Sequence, residues 1–176
     1  MNKTKITTKQ ITAVAVLMAM EIILTRVLSV TTPEVRYSIG FLPIAMIGVL
    51  FGPVYAGVSA AMSDFIGAML LQRGAFFPGF TFSAALIGIT YGLLLHKKQD
   101  LLRIAIAAFV VTVVWQLGLE TLWVAIITGD GDTLLPIYIA RLPMRTVRTA
   151  IMLPVQVILI RLASDRRVIG VLQNQA

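Results

Sequence analysis

Hydrophobic residues occur along this chain in long runs, and polar residues gather in the short segments between them. Six runs can be drawn: Ile11 to Ser29, Ile39 to Leu50, Val54 to Leu71, Phe80 to Leu95, Leu101 to Ile127 and Leu134 to Ala163. The second is shorter than the roughly 20 residues that a straight membrane span needs. It ends at Phe51-Gly52-Pro53, which is either a tight turn or a kink in one long helix. The pattern predicts an all-α integral membrane protein.

Composition supports this class. Of the 176 residues, 58% are hydrophobic and 13% are charged, whereas a soluble domain has about 25% charged residues. The net charge of +7 is not pooled into a basic face, and no nucleic-acid motif accompanies it, so we expect no nucleic acid as partner. The absence of cysteine excludes disulfides and thiolate chemistry, and we expect neither a metal site nor a catalytic residue.

The positive charges predict the topology. With six spans and the N-terminus inside, the cytoplasmic segments collect most lysines and arginines, whereas five spans would put His96, Lys97 and Lys98 outside. We therefore predict six transmembrane helices in one domain, residues 1–176, with both termini cytoplasmic. Residues 1–10 and 165–176 are predicted cytoplasmic tails. The basic start runs into the first span without a small-residue cleavage site, which indicates an uncleaved span.

Three arginines stand in the last apolar run. Arg141, Arg145 and Arg148 are four and three residues apart, so they share one helical face. A guanidinium in hydrocarbon costs at least roughly 2.5–3.5 kcal/mol on insertion scales. The three side chains therefore need partners, water or an anionic ligand.

The other deep charges fall in the same, outer half of the membrane when depth is counted along each span. They are Glu21, Arg26, Asp64 and Glu120. This asymmetry predicts a ligand cup that opens outward and is closed from inside. Four deep arginines against three carboxylates leave a positive excess, which an anionic ligand would balance.

Two of these carboxylates also have purely structural interpretations. Glu120 and Arg145 lie at similar depths, roughly 13 Å from the outer ends of their spans, so Glu120 could form an interhelical ion pair with Arg145 or Arg148. Asp64 could hydrogen-bond a neighbouring backbone.

Aromatic and turn residues surround the same half. One predicted outer loop carries Phe77, Pro78, Gly79 and Phe80, a turn signal with rings attached. Another holds Arg36 and Tyr37. Trp123 shares a helical face with Glu120. Such rings can stack on a planar heteroaromatic ligand, although aromatic belts at membrane interfaces are also routine.

Ala15 and Ala19 lie one turn apart in the first span. Small residues at this spacing allow another helix to approach closely. They serve either a partner protein or packing inside the bundle.

The motifs together resemble the folate-specific substrate-binding (S) subunits of energy-coupling factor transporters. The resemblance is carried by Thr25 to Val30, Val35 to Pro43, Leu50 to Pro53, Ser63 to Ala68 and Phe77 to Thr81, and more loosely by Arg141 to Pro143 and Leu153 to Gln156. It implies a six-helix protein that captures a vitamin from outside with high affinity. It also implies docking through the alanines of the first helix onto a transmembrane scaffold (T) subunit that binds two cytoplasmic ABC-type ATPases. The chain has no Walker-type phosphate loop, so ATP would be used by those partners.

We therefore predict a folate-binding membrane subunit, not an enzyme, that binds no cofactor itself. The predicted substrate-binding residues are Arg26, Arg36, Tyr37, Asp64, Phe77, Pro78, Gly79, Phe80, Glu120, Trp123, Arg141, Arg145 and Arg148. The glutamate tail of folate suits arginine forks, and its pterin suits rings and a carboxylate such as Asp64 or Glu120. The alternatives are an S subunit for another anionic vitamin, such as pantothenate, or a self-contained secondary carrier.

Overall fold

The computed structural model describes residues 8–31, 36–71, 76–129 and 133–165. Helix α1 (Thr8–Ile22) continues into a π-helical turn (Ile23–Val27). The next helices are α2 (Phe41–Phe51), α3 (Pro53–Leu70), α4 (Pro78–Leu95) and α5 (Leu101–Phe109). A π-helical segment (Val110–Leu119) joins α5 to α6 (Glu120–Thr128), and α7 spans Leu134–Ala163. Two-residue strands β1 (Val30–Thr31) and β2 (Arg36–Tyr37) pair antiparallel between α1 and α2.

The prediction of a helical membrane protein is confirmed. Five continuous helices within the described ranges are long and apolar enough to cross a membrane, and α2 is a shorter apolar helix of 11 residues. Counting α5, the π segment and α6 as one rod, the helices fall within three residues of the predicted runs at every end. The chain is therefore a multi-pass membrane protein.

The Phe51-Gly52-Pro53 sequence is a reversal between two helices. Gly52 has a φ of 88°, in the left-handed region that glycine adopts without steric cost, and Pro53 opens α3 at a position where its missing N–H is harmless. The start of α2 and the end of α3 both lie beside the turn that follows α1. Gly40 contacts Thr25 there, and Gly67 contacts Arg26. Helices α2 and α3 are therefore antiparallel.

Glycines bring α4 unusually close to α2 and α3. A Cβ on Gly88 would overlap the Ala56 carbonyl, and one on Gly92 would overlap the backbone of Pro53. A Cβ on Gly48 would come within 2.8 Å of the Gly92 nitrogen. The Gly88 and Gly92 pair has the small-residue spacing that lets membrane helices pack backbone to backbone. Helices α2, α3 and α4 therefore form a closely packed three-helix unit.

The remaining helices alternate in direction around this unit. Arg161 Nη1, near the end of α7, donates a hydrogen bond of 3.1 Å to the Gln99 carbonyl between α4 and α5. The end of α7 and the end of α4 therefore lie on one side of the bundle, which we call the basic end because Lys97, Lys98 and Arg103 are also there. The opposite side, where α4 and α7 begin, is the open end. Most of the predicted tails, 1–10 and 165–176, lies outside the described residues.

The core between the helices contains polar groups as well as aliphatic ones. Tyr91 and Gln156 are fully buried, and the Tyr91 hydroxyl donates to Gln156 Oε1 at 2.9 Å. Trp115 Nε1 donates to Thr90 Oγ1 at 2.9 Å. These bonds join α4 to α7 and to the π-helical segment Val110–Leu119. They give the buried polar groups hydrogen-bond partners, which lipid hydrocarbon cannot supply.

Candidate functional site

An ion pair joins α1 to α3 near the open end. Arg26 Nη2 lies 3.0 Å from Asp64 Oδ1 and 3.3 Å from the Asp64 carbonyl, and the two side chains are 12% and 23% exposed. The second carboxylate oxygen, Oδ2, accepts a hydrogen bond of 2.9 Å from Thr81 Oγ1 on α4. Asp64 therefore ties three helices together, where sequence reasoning had considered a ligand contact or a backbone bond.

Gly67 makes room for this arrangement. A Cβ there would stand 3.0 Å from Arg26 Nε and 3.4 Å from Arg26 Cγ. The guanidinium lies across the bare backbone of α3, one turn beyond Asp64. Both hydrogen bonds to Asp64 are donated by Nη2, on one edge of the planar guanidinium. The donors of its other nitrogens point away from Asp64.

Glu21 borders the same cluster. Its Oε1 accepts a hydrogen bond of 2.9 Å from Thr25 Oγ1, one turn along α1. Asp64, Arg26 and Ser63 lie close enough to Glu21 to act on its carboxyl group. Glu21 therefore lies at the polar contact between α1 and α3.

A second group is aromatic and joins α4 to α6. The ring centroids of Phe77 and Trp123 are 5.6 Å apart, and those of Phe77 and Phe80 are 6.2 Å apart in an edge-on arrangement. A Cβ on Gly79 would overlap the Phe77 ring and come within 2.7 Å of Trp123. Trp123 Nε1 donates to Ser83 Oγ at 2.9 Å, which fixes the indole plane. We call Phe77, Phe80 and Trp123 the aromatic group.

A third group connects α6 to α7. Arg145 Nη1 donates to Thr121 Oγ1 at 3.3 Å, and Thr121 in turn donates to the Leu117 carbonyl. Arg148 lies one turn further along α7, is partly buried, and makes no hydrogen bond from its Nε within the described residues. Arg145 therefore contacts α6 inside the bundle.

Other predicted residues have plainer surroundings. Pro78 occupies the first turn of α4, and Tyr37 is partly buried in β2. For Arg36 only the backbone is described, and it pairs with Thr31. Arg141 lines a groove of about 430 Å³ along α7 with Ile137, Ala140 and Met144. Glu120 begins α6 and is partly buried, and its pairing with Arg145 or Arg148 stays a prediction.

The structure thus places part of the predicted set, namely Arg26, Asp64, Phe77, Phe80, Trp123 and Arg145, in three groups in the half of the bundle next to the open end, and the binding role of the set stays a prediction. Sequence reasoning missed the hydroxyl partners Thr81, Ser83 and Thr121. Serine and threonine are common in membrane helices because they bond their own backbone, so their presence alone carries no signal of a site.

The alanines of α1 lie on the outside of the bundle. Ala15 and Ala19 are exposed, as are the neighbouring Val16 and Met20, while Val14, Leu17 and Met18 pack against the core. Packing inside the bundle therefore does not explain the alanines. The face that contains them is available to lipid or to another protein.

The bundle contains partly buried cations and a fixed aromatic group, and its first helix has an exposed apolar face. These are features of a membrane-embedded binding subunit. A family model described as the ECF-type riboflavin transporter, S component, matches residues 5–164. The chain belongs to this family of transporter S components, which are not enzymes.

Its relatives within the family are named as folate transporters. The folate transporter FolT of Clostridium novyi (strain NT) is 40% identical over 147 residues, which are 83% of this chain and 82% of that protein. FolT of Leuconostoc mesenteroides is 32% identical over 155 residues, 87% of this chain and 83% of that protein. A crystal structure of FolT bound with folic acid matches with a TM-score of 0.77 and 33% identity, over 88% of this chain and 91% of that one.

Proposed function

We propose that this chain is the folate-binding S subunit of an ATP-driven ECF-type uptake transporter in a bacterial cytoplasmic membrane. The observation that carries the proposal is the combination of deep arginines and the aromatic group in one half of the bundle. Arg26, Arg145 and Arg148 supply positive charge to this region, where Asp64 is the ion-pair partner of Arg26. Folate presents an aromatic pterin at one end and two carboxylates at the other, which match these two kinds of group.

The ligand's ends can be assigned to these groups. Arg145 and Arg148 on α7 bind the glutamate tail, since a guanidinium in a low-dielectric site gains most from a carboxylate partner. The aromatic group stacks on the pterin. Asp64 holds Arg26 in place, because both of its carboxylate oxygens already accept hydrogen bonds from the protein.

Riboflavin is the second candidate, because the description of the matching family model names it. Riboflavin also has a planar heteroaromatic ring, so the aromatic group alone does not separate the two vitamins. It lacks the carboxylates of folate, so it could not form charge-assisted hydrogen bonds with the arginines of α7. The charge in the site therefore favours folate.

The rest of the transport cycle is assigned to partners. The exposed face containing Ala15 and Ala19 docks on the transmembrane T subunit, and two ABC-type ATPases bound to that subunit hydrolyse ATP. The open end faces outward and the basic end faces the cytoplasm, as the positive-inside rule requires for Lys97, Lys98, Arg103 and Arg161.

Titration of the purified protein in detergent with folate and with riboflavin, followed by tryptophan fluorescence, tests the proposal. We expect folate to bind at least about 100-fold more tightly, which corresponds to roughly 2.7 kcal/mol. Equal or tighter binding of riboflavin would overturn the assignment to folate. Concentrative folate uptake in vesicles by this chain alone, without T subunit and ATPases, would overturn the subunit role.

A further inference from the structure

Arg26 lies on a face of α1 that its sequence position does not predict. It is eleven residues after Ala15, so an uninterrupted α-helix would place the two within about 20° of each other. Ala15 and Ala19 face outward, whereas Arg26 faces inward and contacts Asp64. The helix must therefore depart from regular α-helical geometry between residues 19 and 26, so that later side chains point in a different direction.

The π-helical turn Ile23–Val27 is the cause. Its closing hydrogen bond runs from the Leu28 N–H to the Ile23 carbonyl at 3.0 Å, a separation of five residues instead of four. The turn therefore contains one extra residue, which shifts the facing of its own last residues, Arg26 among them, and of the residues after it by up to about 100°. This shift carries Arg26 from the ridge of the alanines to the side where Val14 and Met18 pack against the core.

The segment before α2 holds the turn in this form. Ser38 Oγ donates a hydrogen bond of 3.0 Å to the Leu24 carbonyl inside the turn, and it accepts one of 3.0 Å from the Gly40 N–H. Gly40 packs so closely on Thr25 that a Cβ would overlap the threonine hydroxyl. A π turn is otherwise a rare conformation, so contacts from outside the helix are expected to sustain it.

We infer that Ser38 is a positioning residue for ligand binding: through the Leu24 carbonyl it holds the π turn, and the turn places Arg26 in the site. This inference deepens the proposed function and rests on it for the ligand. If the turn relaxed to α-helix, Arg26 would leave Asp64 and join the ridge of Ala15 and Ala19. The same turn therefore also keeps a positive charge off the apolar docking face.

The first test compares Ser38→Ala with Ser38→Thr, which keeps the hydroxyl. We expect Ser38→Ala to weaken folate affinity about tenfold and Ser38→Thr to stay within about twofold. Deletion of Ile23 leaves Arg26 ten residues after Ala15, so a regular α-helix then points it inward without a π turn. In the Ser38→Ala background, this deletion should restore most of the lost affinity. An unchanged affinity in Ser38→Ala, or a folded deletion variant without recovery, would overturn the inference.

A second measurement needs no ligand, so it separates this inference from the assignment of folate. Spin labels on Val27→Cys and Met69→Cys occupy two exposed positions, one at the end of the π turn and one near the end of α3. In Ser38→Ala the distance distribution between them should shift or broaden, and in Ser38→Thr it should match the parent. Identical distributions in all three proteins would show that Ser38 does not hold the turn, whatever the ligand. If the distribution shifts in Ser38→Ala but the parent protein binds no folate, the inference about Ser38 and the turn stands. Only the proposed function is then refuted.

Discussion

Arg26 and Asp64 form an ion pair across α1 and α3, with 3.0 Å between Nη2 and Oδ1. Because Thr81 on α4 donates to the other oxygen of Asp64, the carboxylate fixes the geometry of three helices at once. A charge in this setting is stabilised by its partners, and the loss of one partner leaves the other exposed to an apolar environment. The pair therefore contributes to stability and fixes the orientation of Arg26, which belongs to the proposed binding site.

Replacing Asp64 should show both effects. We expect Asp64→Asn to lower the free energy of unfolding by about 3 kcal/mol, because Arg26 keeps its charge without a counter-ion. Folate affinity should fall as well. Thermal unfolding in detergent measures the first effect, and Asp100→Asn, at an exposed position at the basic end, is the control. Equal stability of the two variants would contradict the role given to Asp64.

The close approach of α3 and α4 gives a second prediction. Gly88→Ala should destabilise the bundle by about 3 kcal/mol or more, because its Cβ would overlap the backbone of Ala56, which cannot move aside like a side chain. Gly118→Ala is a matched control, since its Cβ would meet only the Val113 carbonyl at 3.6 Å. Comparable melting temperatures for both variants would argue against glycine-mediated packing.

The two tryptophans should report differently on the ligand. Trp123 belongs to the aromatic group, whereas Trp115 is hydrogen-bonded to Thr90 and packs against the core. We expect folate to quench the fluorescence of Trp115→Phe by nearly as much as that of the parent, and to quench Trp123→Phe only weakly. The reverse pattern would place the pterin away from Phe77 and Trp123.

The exposed alanines predict a separation of docking from binding. Ala19→Trp should prevent co-purification with the T subunit, because the indole blocks close helix contact, and it should leave folate affinity within about twofold. Val58→Trp, at an exposed position of α3, is the control and should retain docking. Retained docking in Ala19→Trp would remove the alanine face from the interface.

Much of this fold could be predicted from the sequence because apolar run length is set by bilayer thickness, and the helices fall within three residues of the predicted ends. The spacing of the charges along each helix was also readable, since helical rise converts residue number into distance. The facing of Arg26 was not readable. It depends on the extra residue in the turn at Ile23–Val27, and no local sequence pattern predicts that residue. It also depends on Ser38, which bonds the Leu24 carbonyl from fourteen residues further along the chain.

The hydrogen-bond and ion-pair partners of the site residues could not be predicted from the sequence either. The sequence left Asp64 with two interpretations, a ligand contact or a backbone hydrogen bond, and only the approach of α1 and α4 to α3 reveals Arg26 and Thr81 as its partners. Threonine hydroxyls such as that of Thr121 are ordinary in membrane helices until a guanidinium is placed beside them.

The arginines of α7 should distinguish the two ends of folate. Arg148→Ala should weaken folate binding by about tenfold to 100-fold, because a charge-assisted hydrogen bond to a carboxylate contributes roughly 1.5–3 kcal/mol. Pteroic acid, which lacks the glutamate tail, should bind the parent and the variant about equally. Arg161→Ala, at the basic end, is the control and should leave both affinities unchanged.

The most direct measurement of the central claim is mass spectrometry of the small molecules that remain bound through purification of the unaltered protein. The account predicts a folate in the parent protein and a strongly reduced amount in Arg148→Ala. A parent protein that retains riboflavin instead, or that retains no vitamin and binds no added folate, would contradict it.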